Sequence, residues 1–227
     1  MTRNAVFFFA AFLLSVLIGF WPTYLTRIGE MPSWRVHVHG ALLFAWCVLL
    51  VAQAWLIRTQ RRDLHRALGK ISYVLIPLMV VSSLVVERHA LVRAAGKYDA
   101  EALFFFYMIF ALLLQLILAY SLAMVNRRTP ALHMRYMICT PLVMFDPVFA
   151  RILGVQFDIG FGTGQMITFG CVDAILLWLC YLDRNTKYRV FPFMLVAFVL
   201  TQIPAFFVYK ALWWPAVATW FVGLPLP

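Results

Sequence analysis

The chain has 227 residues, 64% of them hydrophobic and 12% charged, and carries a net charge of +10 at pH 7. Soluble domains run near half apolar and about a quarter charged, so this composition excludes an ordinary soluble fold; lipid must cover the apolar excess. The basic residues sit in short loops beside apolar runs, where they set orientation and meet anionic headgroups, which speaks for a bilayer and against nucleic acid.

Runs of about 20 apolar residues are long enough to cross the ~30 Å hydrocarbon layer as helices. Seven such runs predict an all-α, polytopic transmembrane helical bundle, one domain over 1–227. The first run, 5–26, imitates a signal peptide, but its apolar core is long and no A-x-A-like site follows, so it reads as a retained span. The second, 36–58, opens with His37 and His39, encloses Trp46 and Gln53, and exits at Arg58. In a helix the i and i+2 positions diverge, so one of the two histidines faces the bundle; in an extended lead-in both reach one metal.

The third run, 67–87, follows a basic loop containing Arg61-Arg62-Asp63-Leu64-His65. His89 and the charged residues Glu87, Arg88 and Arg93 follow it, the charges reading as solvated. The fourth run is 101–125. The fifth, 132–153, again follows a basic pair, Arg127-Arg128, and opens on Leu132-His133, a weak internal echo of the third. It holds Pro141, Asp146, Pro147 and Arg151, and so should be the least regular helix, with a cavity beside it. The sixth, 164–182, follows the turn Gly160–Gly164 and carries Asp173 near its middle; the seventh is 190–209. The tail 211–227, with three tryptophans and three prolines, suits an interfacial or re-entrant segment. With the N-terminus inside, twelve of the nineteen lysines and arginines fall on the inner side, which predicts N-terminus in, C-terminus out.

Two constellations carry chemistry. Facing histidines on neighbouring helices hold b-type haem and many metals, so His65 with His133 form a candidate inner site, and His37 or His39 with His89 an outer one. The competing reading is interfacial histidines bonded to headgroups, caps or loop carbonyls. His65 and His89 are 24 residues apart, about 36 Å of helix, so both lie near the edges of the apolar layer. The second constellation is a buried polar cluster in the outer half, Asp146, Arg151, Asp173 and Gln53, with Gln115, Gln165 and Gln202 able to line the same interior. Acids at that depth face the bundle and have partners; here Arg151 is the expected partner, for Asp146 on its own helix or Asp173 across to the next. The competing reading is an interhelical bridge that only locks the bundle. The four cysteines fall inside spans with no CxxC spacing and read as small core residues.

At Leu64-His65-Arg66-Ala67-Leu68-Gly69-Lys70 and Leu132-His133-Met134-Arg135-Tyr136-Met137-Ile138 the chain resembles an uncharacterised family of bacterial multi-span membrane proteins. That family shows an LHRxLG motif at one helix start and an HRxWMIR motif at a later one, with a further arginine near that helix's end, which Arg151 fits. Met134, Tyr136 and Cys139 depart from the pattern. The resemblance implies a multi-pass protein of the bacterial inner membrane and adds no chemistry. More distant likeness to cytochrome b561-type proteins is weakened by the shallow histidines. Likeness to seven-span zinc hydrolases fails because no histidine follows His133. Three functions remain open: a redox-associated component binding haem b or quinone, a small proton-coupled transporter, or a structural accessory subunit with a membrane-protein partner or a second copy of itself. No catalytic or metal-binding residue is assigned.

Overall fold

A computed structural model describes residues 5–30 and 33–226; Arg3, counted above among the inner basic residues, lies outside them. The described residues form helices throughout: α1 (Ala5–Phe20), α2 (Trp34–Arg58), α3 (Arg62–Gly69), α4 (Ser72–Arg93), α5 (Ala100–Val125), α6 (Pro130–Arg151), α7 (Phe161–Asp183), α8 (Val190–Val208) and α9 (Trp214–Val222). Six stretches are long and apolar enough to cross a membrane: α2, α3 with α4, α5, α6 with the π-helical turn after it, α7 and α8. The protein is a polytopic helical bundle.

The outer surface of the helices is what lipid demands. Leu114, Leu177, Val196, Leu200 and Phe207 are exposed along α5, α7 and α8, an arrangement water would oppose and acyl chains accept. Inside, Trp46, Met79, Leu142, Leu176, Phe191, Met194 and Phe198 share one buried core. α1 packs on α2 and α6, α2 on α4, and α5 is flanked by α6, α8 and α4; α7 sits between α6 and α8.

The first predicted run is helical only to Phe20; Trp21-Pro22 stop it, and a short 3₁₀ turn follows at Leu25–Arg27. Its 16 residues rise about 24 Å, less than the hydrocarbon layer. α1 nonetheless reaches from Phe7, which lies under the Arg58 guanidinium at the end of α2, to Gly19, which meets the Val148 carbonyl near the end of α6. A Cβ on Gly19 would stand 2.9 Å from that carbonyl oxygen, so glycine permits the close approach.

The predicted third span divides. α3 ends at Gly69, Lys70 and Ile71 keep helical angles but bond in i→i+3 fashion, and α4 starts at Ser72. α4 then continues to Arg93, so His89 and Arg88 belong to the helix. Arg88 is not merely solvated: its Nε donates to the Val222 carbonyl at the end of α9 (3.0 Å). The tail helix α9 has nine residues, too few to cross a bilayer. It packs Trp214 and Phe221 on Phe106 of α5, and Trp214 Nε1 donates to the Leu103 carbonyl (3.0 Å). Prolines 77, 141, 147 and 204 all lie inside helices. α6, with two of them, loosens into a π turn over Ile152–Gln156. All four cysteines are free.

Candidate functional site

Two groups of polar contacts mark two depths of the bundle. At one end lie Arg58, His65, His133, Arg135 and Asp183; toward the other lie His37, His39, Asp146 and Arg151.

His65 and His133, separated by 68 positions, come close enough to interact electrostatically. α3 carries the first and the opening turn of α6 the second, and both are half-buried. Each imidazole is fixed through Nδ1. His133 Nδ1–H donates to the Ala123 carbonyl (2.9 Å), one of the last-turn acceptors of α5 that have no partner within their own helix. His65 is held by Gln53 of α2. With its amide nitrogen turned toward His65, Gln53 donates to Nδ1 and to the His65 carbonyl (3.1 Å), while its oxygen accepts from the Gly69 amide (2.9 Å). The Gln53 main-chain oxygen lies farther from Nδ1, at 3.4 Å. The Ala123 carbonyl fixes His133 with its proton on Nδ1 and a lone pair at Nε2; at His65 the Gln53 amide nitrogen and the Gln53 main-chain oxygen make opposite demands on Nδ1, the first leaving an N–H at Nε2 and the second a lone pair. Below them Ser72 Oγ and Tyr120 OH bond at 2.9 Å, and Tyr120 meets fully buried Trp46 edge-on.

Gln53 therefore belongs to the histidine pair, not to the polar cluster near Asp146 where the sequence pattern put it. Its position on α2, about a turn before the helix end, sets it level with α3.

Beside the histidines, Arg135 and Asp183 form a bidentate ion pair joining α6 to α7, Nε to Oδ2 at 2.8 Å and Nη2 to Oδ1 at 2.5 Å. Their side chains are 7% and 4% exposed, Arg135 Nη1 donates to the Ala131 carbonyl, and the guanidinium lies over the Tyr188 ring. Sequence reasoning missed this pair. Asp183 stood one residue beyond the predicted sixth span, and Arg135, inside the predicted fifth, counted only among the inner-side basic residues. The residue-type signal, an arginine two residues after His133 in the LHMRYMI stretch, was present.

The outer histidines do not form a site together. α2 begins at Trp34, so His37 and His39 are helical and diverge: His37 Nδ1 meets Tyr24 OH (2.8 Å) and His39 Nδ1 meets Ser82 Oγ of α4 (3.1 Å). An extended HxH chelate is thereby excluded. His89 lies nearly two turns beyond Ser82 along α4. No group of three or more His, Cys, Asp or Glu side chains suited to a metal ion occurs among the described residues.

The acids have partners other than the one expected. Asp146 Oδ1 accepts from Gln165 Nε2 of α7 (2.5 Å), and Asp173 Oδ1 accepts from Gln202 Nε2 of α8 (3.2 Å). Arg151 ion-pairs with neither: it donates to the Pro147 carbonyl (2.9 Å) and covers the Phe20 ring. The proline-loosened end of α6 turns it along its own helix toward α1. A further bond, Gln115 Nε2 to Thr201 Oγ1 (2.5 Å), joins α5 to α8. A cavity of about 10 Å³ lies beside α6, as the prolines there predicted, but α5, α7 and α8 complete it, and α2 takes no part. Space of that order admits about one water, not a solute.

No protein-family model matches the chain, and no curated protein or solved structure matches it either.

Proposed function

We propose that this multi-pass membrane protein is a redox-associated component of the bacterial inner membrane that binds a quinone head group at His65 and His133. The observation that supports the reading is a pair of imidazoles near one another at one end of the bundle, each tethered through Nδ1. With the Gln53 amide donating to it, His65 offers an N–H at Nε2 while His133 offers a lone pair. A quinone carbonyl accepts from His65 Nε2; a quinol hydroxyl donates to His133 Nε2. The quinone supplies two-electron, two-proton chemistry. The chain's part is to hold the ring by these two atoms, with His133 Nε2 as the base that takes a hydroxyl proton.

Haem fits the donor set less well. His133 has the lone pair that an axial ligand needs. With the Gln53 amide donating to its Nδ1, His65 presents Nε2–H, and reversing it requires Gln53 to turn that amide and give up the Gly69 amide hydrogen. The tethers also serve packing, since they close carbonyls and amides at helix ends.

Detergent-purified protein should bind a water-soluble short-chain quinone in a calorimetric titration. His65→Ala and His133→Ala should each weaken binding at least tenfold, about 1.4 kcal/mol, without loss of folding. Gln53→Leu, which frees the His65 tautomer, should weaken it as well. Binding indifferent to all three changes would overturn the reading, and a Soret band with stoichiometric iron would replace quinone by haem.

A further inference from the structure

The interior around Asp146 holds a polar atom that its hydrogen bonds leave unexplained. Gln115 is only 4% exposed, and its Nε2 is used on Thr201, yet its Oε1 has no partner among the described residues. Gln115 lines the cavity between α5, α6, α7 and α8, together with Asp146, Thr201 and Gln202. An orphaned carbonyl oxygen facing a one-water space beside a carboxyl group is where a buried water belongs, because such waters sit where they meet otherwise unsatisfied groups.

We propose that this cavity holds one ordered water, and that the water joins Asp146, through Gln202, to half-buried Asp173 as a single proton-binding unit. Asp146 spends one carboxyl oxygen on Gln165 and itself lines the cavity; Gln202 lines the cavity too and donates to Asp173. With Asp146 protonated, its hydroxyl donates to the water, and the water donates to the Gln115 and Gln202 carbonyl oxygens. With Asp146 ionised, the water turns to donate to the carboxylate and to Gln115, and releases Gln202. The amide that clasps Asp173 is thus polarised differently in the two states, which couples the acids without moving a helix. Arg151 on the same helix is a charged group near enough to act on Asp146. A water suits the space better than a metal cation, because amide N–H donors already occupy one oxygen of each acid. This unit stands at a different depth from the histidine pair and does not depend on quinone binding.

Infrared difference spectra of the lipid-reconstituted protein between acid and neutral pH test it. The wild type should show two protonated-carboxyl carbonyl bands, assigned by their loss in Asp146→Asn and Asp173→Asn, and a water O–H band that shifts in water labelled with ¹⁸O. Asp146→Asn should also move the Asp173 band. Gln115→Leu, which retains both acids, should remove the labelled-water band and abolish that cross-effect. Should Asp146→Asn fail to fold, loss of the water band in Gln115→Leu decides alone. The proposal is overturned if the wild type has no isotope-sensitive water band, if the Asp173 band ignores Asp146→Asn, or if the bands follow added sodium rather than pH.

Discussion

At the residue scale, the Arg135–Asp183 pair is the strongest single commitment of charge to the interior. Both side chains are out of water and each satisfies the other in bidentate geometry. Removing one partner strands the other, at a cost of about 3–5 kcal/mol. Arg135→Leu and Asp183→Leu should therefore each lower the unfolding midpoint in detergent sharply, while the double replacement should cost less than either alone. Equal and additive losses would show that the ions act independently. The acids behave otherwise. Asp146 was legible as a buried polar residue, because hydrocarbon leaves it nowhere else to face, whereas Asp173 is only half-buried. Their partners were not legible, because Gln165 and Gln202 are as polar as Gln53 in sequence, and only helix rotation decides which amide meets which acid. His65 and His133 come near one another; their Nδ1 tethers, Gln53 and the Ala123 carbonyl, are neighbours that no spacing announces.

At the element scale, apolar length told most of the story. Six of the seven expected runs are helices long enough to cross, and the first is shorter because Pro22 interrupts it. The break at Lys70–Ile71 was hidden, since a helix that changes only its bonding register keeps ordinary residues there. The tail was marked by its tryptophans as a headgroup-level segment, but its docking through Trp214 and Arg88 needed the fold. α1 is held by a close approach more than by length. Gly19→Leu would drive a branched side chain into the Val148 carbonyl, an overpacking that typically costs about 1–3 kcal/mol. A lowered thermal midpoint, with α1 becoming sensitive to limited proteolysis, is the expected result; an unchanged midpoint would show that α1 yields without loss.

At the scale of the whole molecule, orientation follows from charge rather than from packing. The end of the bundle with the histidine pair carries Arg58, Arg61, Arg62, Arg66 and Lys70 together with Arg127 and Arg128, a bias that predicts its retention on the cytoplasmic side. In a background with the four native cysteines replaced by alanine, a cysteine at Gln60 should react with a membrane-impermeant maleimide only in inverted vesicles. One at Lys97 should react only in right-side-out ones, and the reverse pattern would place the histidine pair on the outer face.

The two ion pairs at that same end differ in how they meet dissolved salt. Arg66 and Asp63 pair on α3 with both side chains largely open to solvent, whereas Arg135 and Asp183 lie roofed by the Tyr188 ring. Counterions screen the first and scarcely reach the second. A rise in ionic strength therefore weakens the exposed pair on the short helix that carries His65, while the roofed bridge between α6 and α7 keeps its strength, so salt dependence tells the two contributions apart.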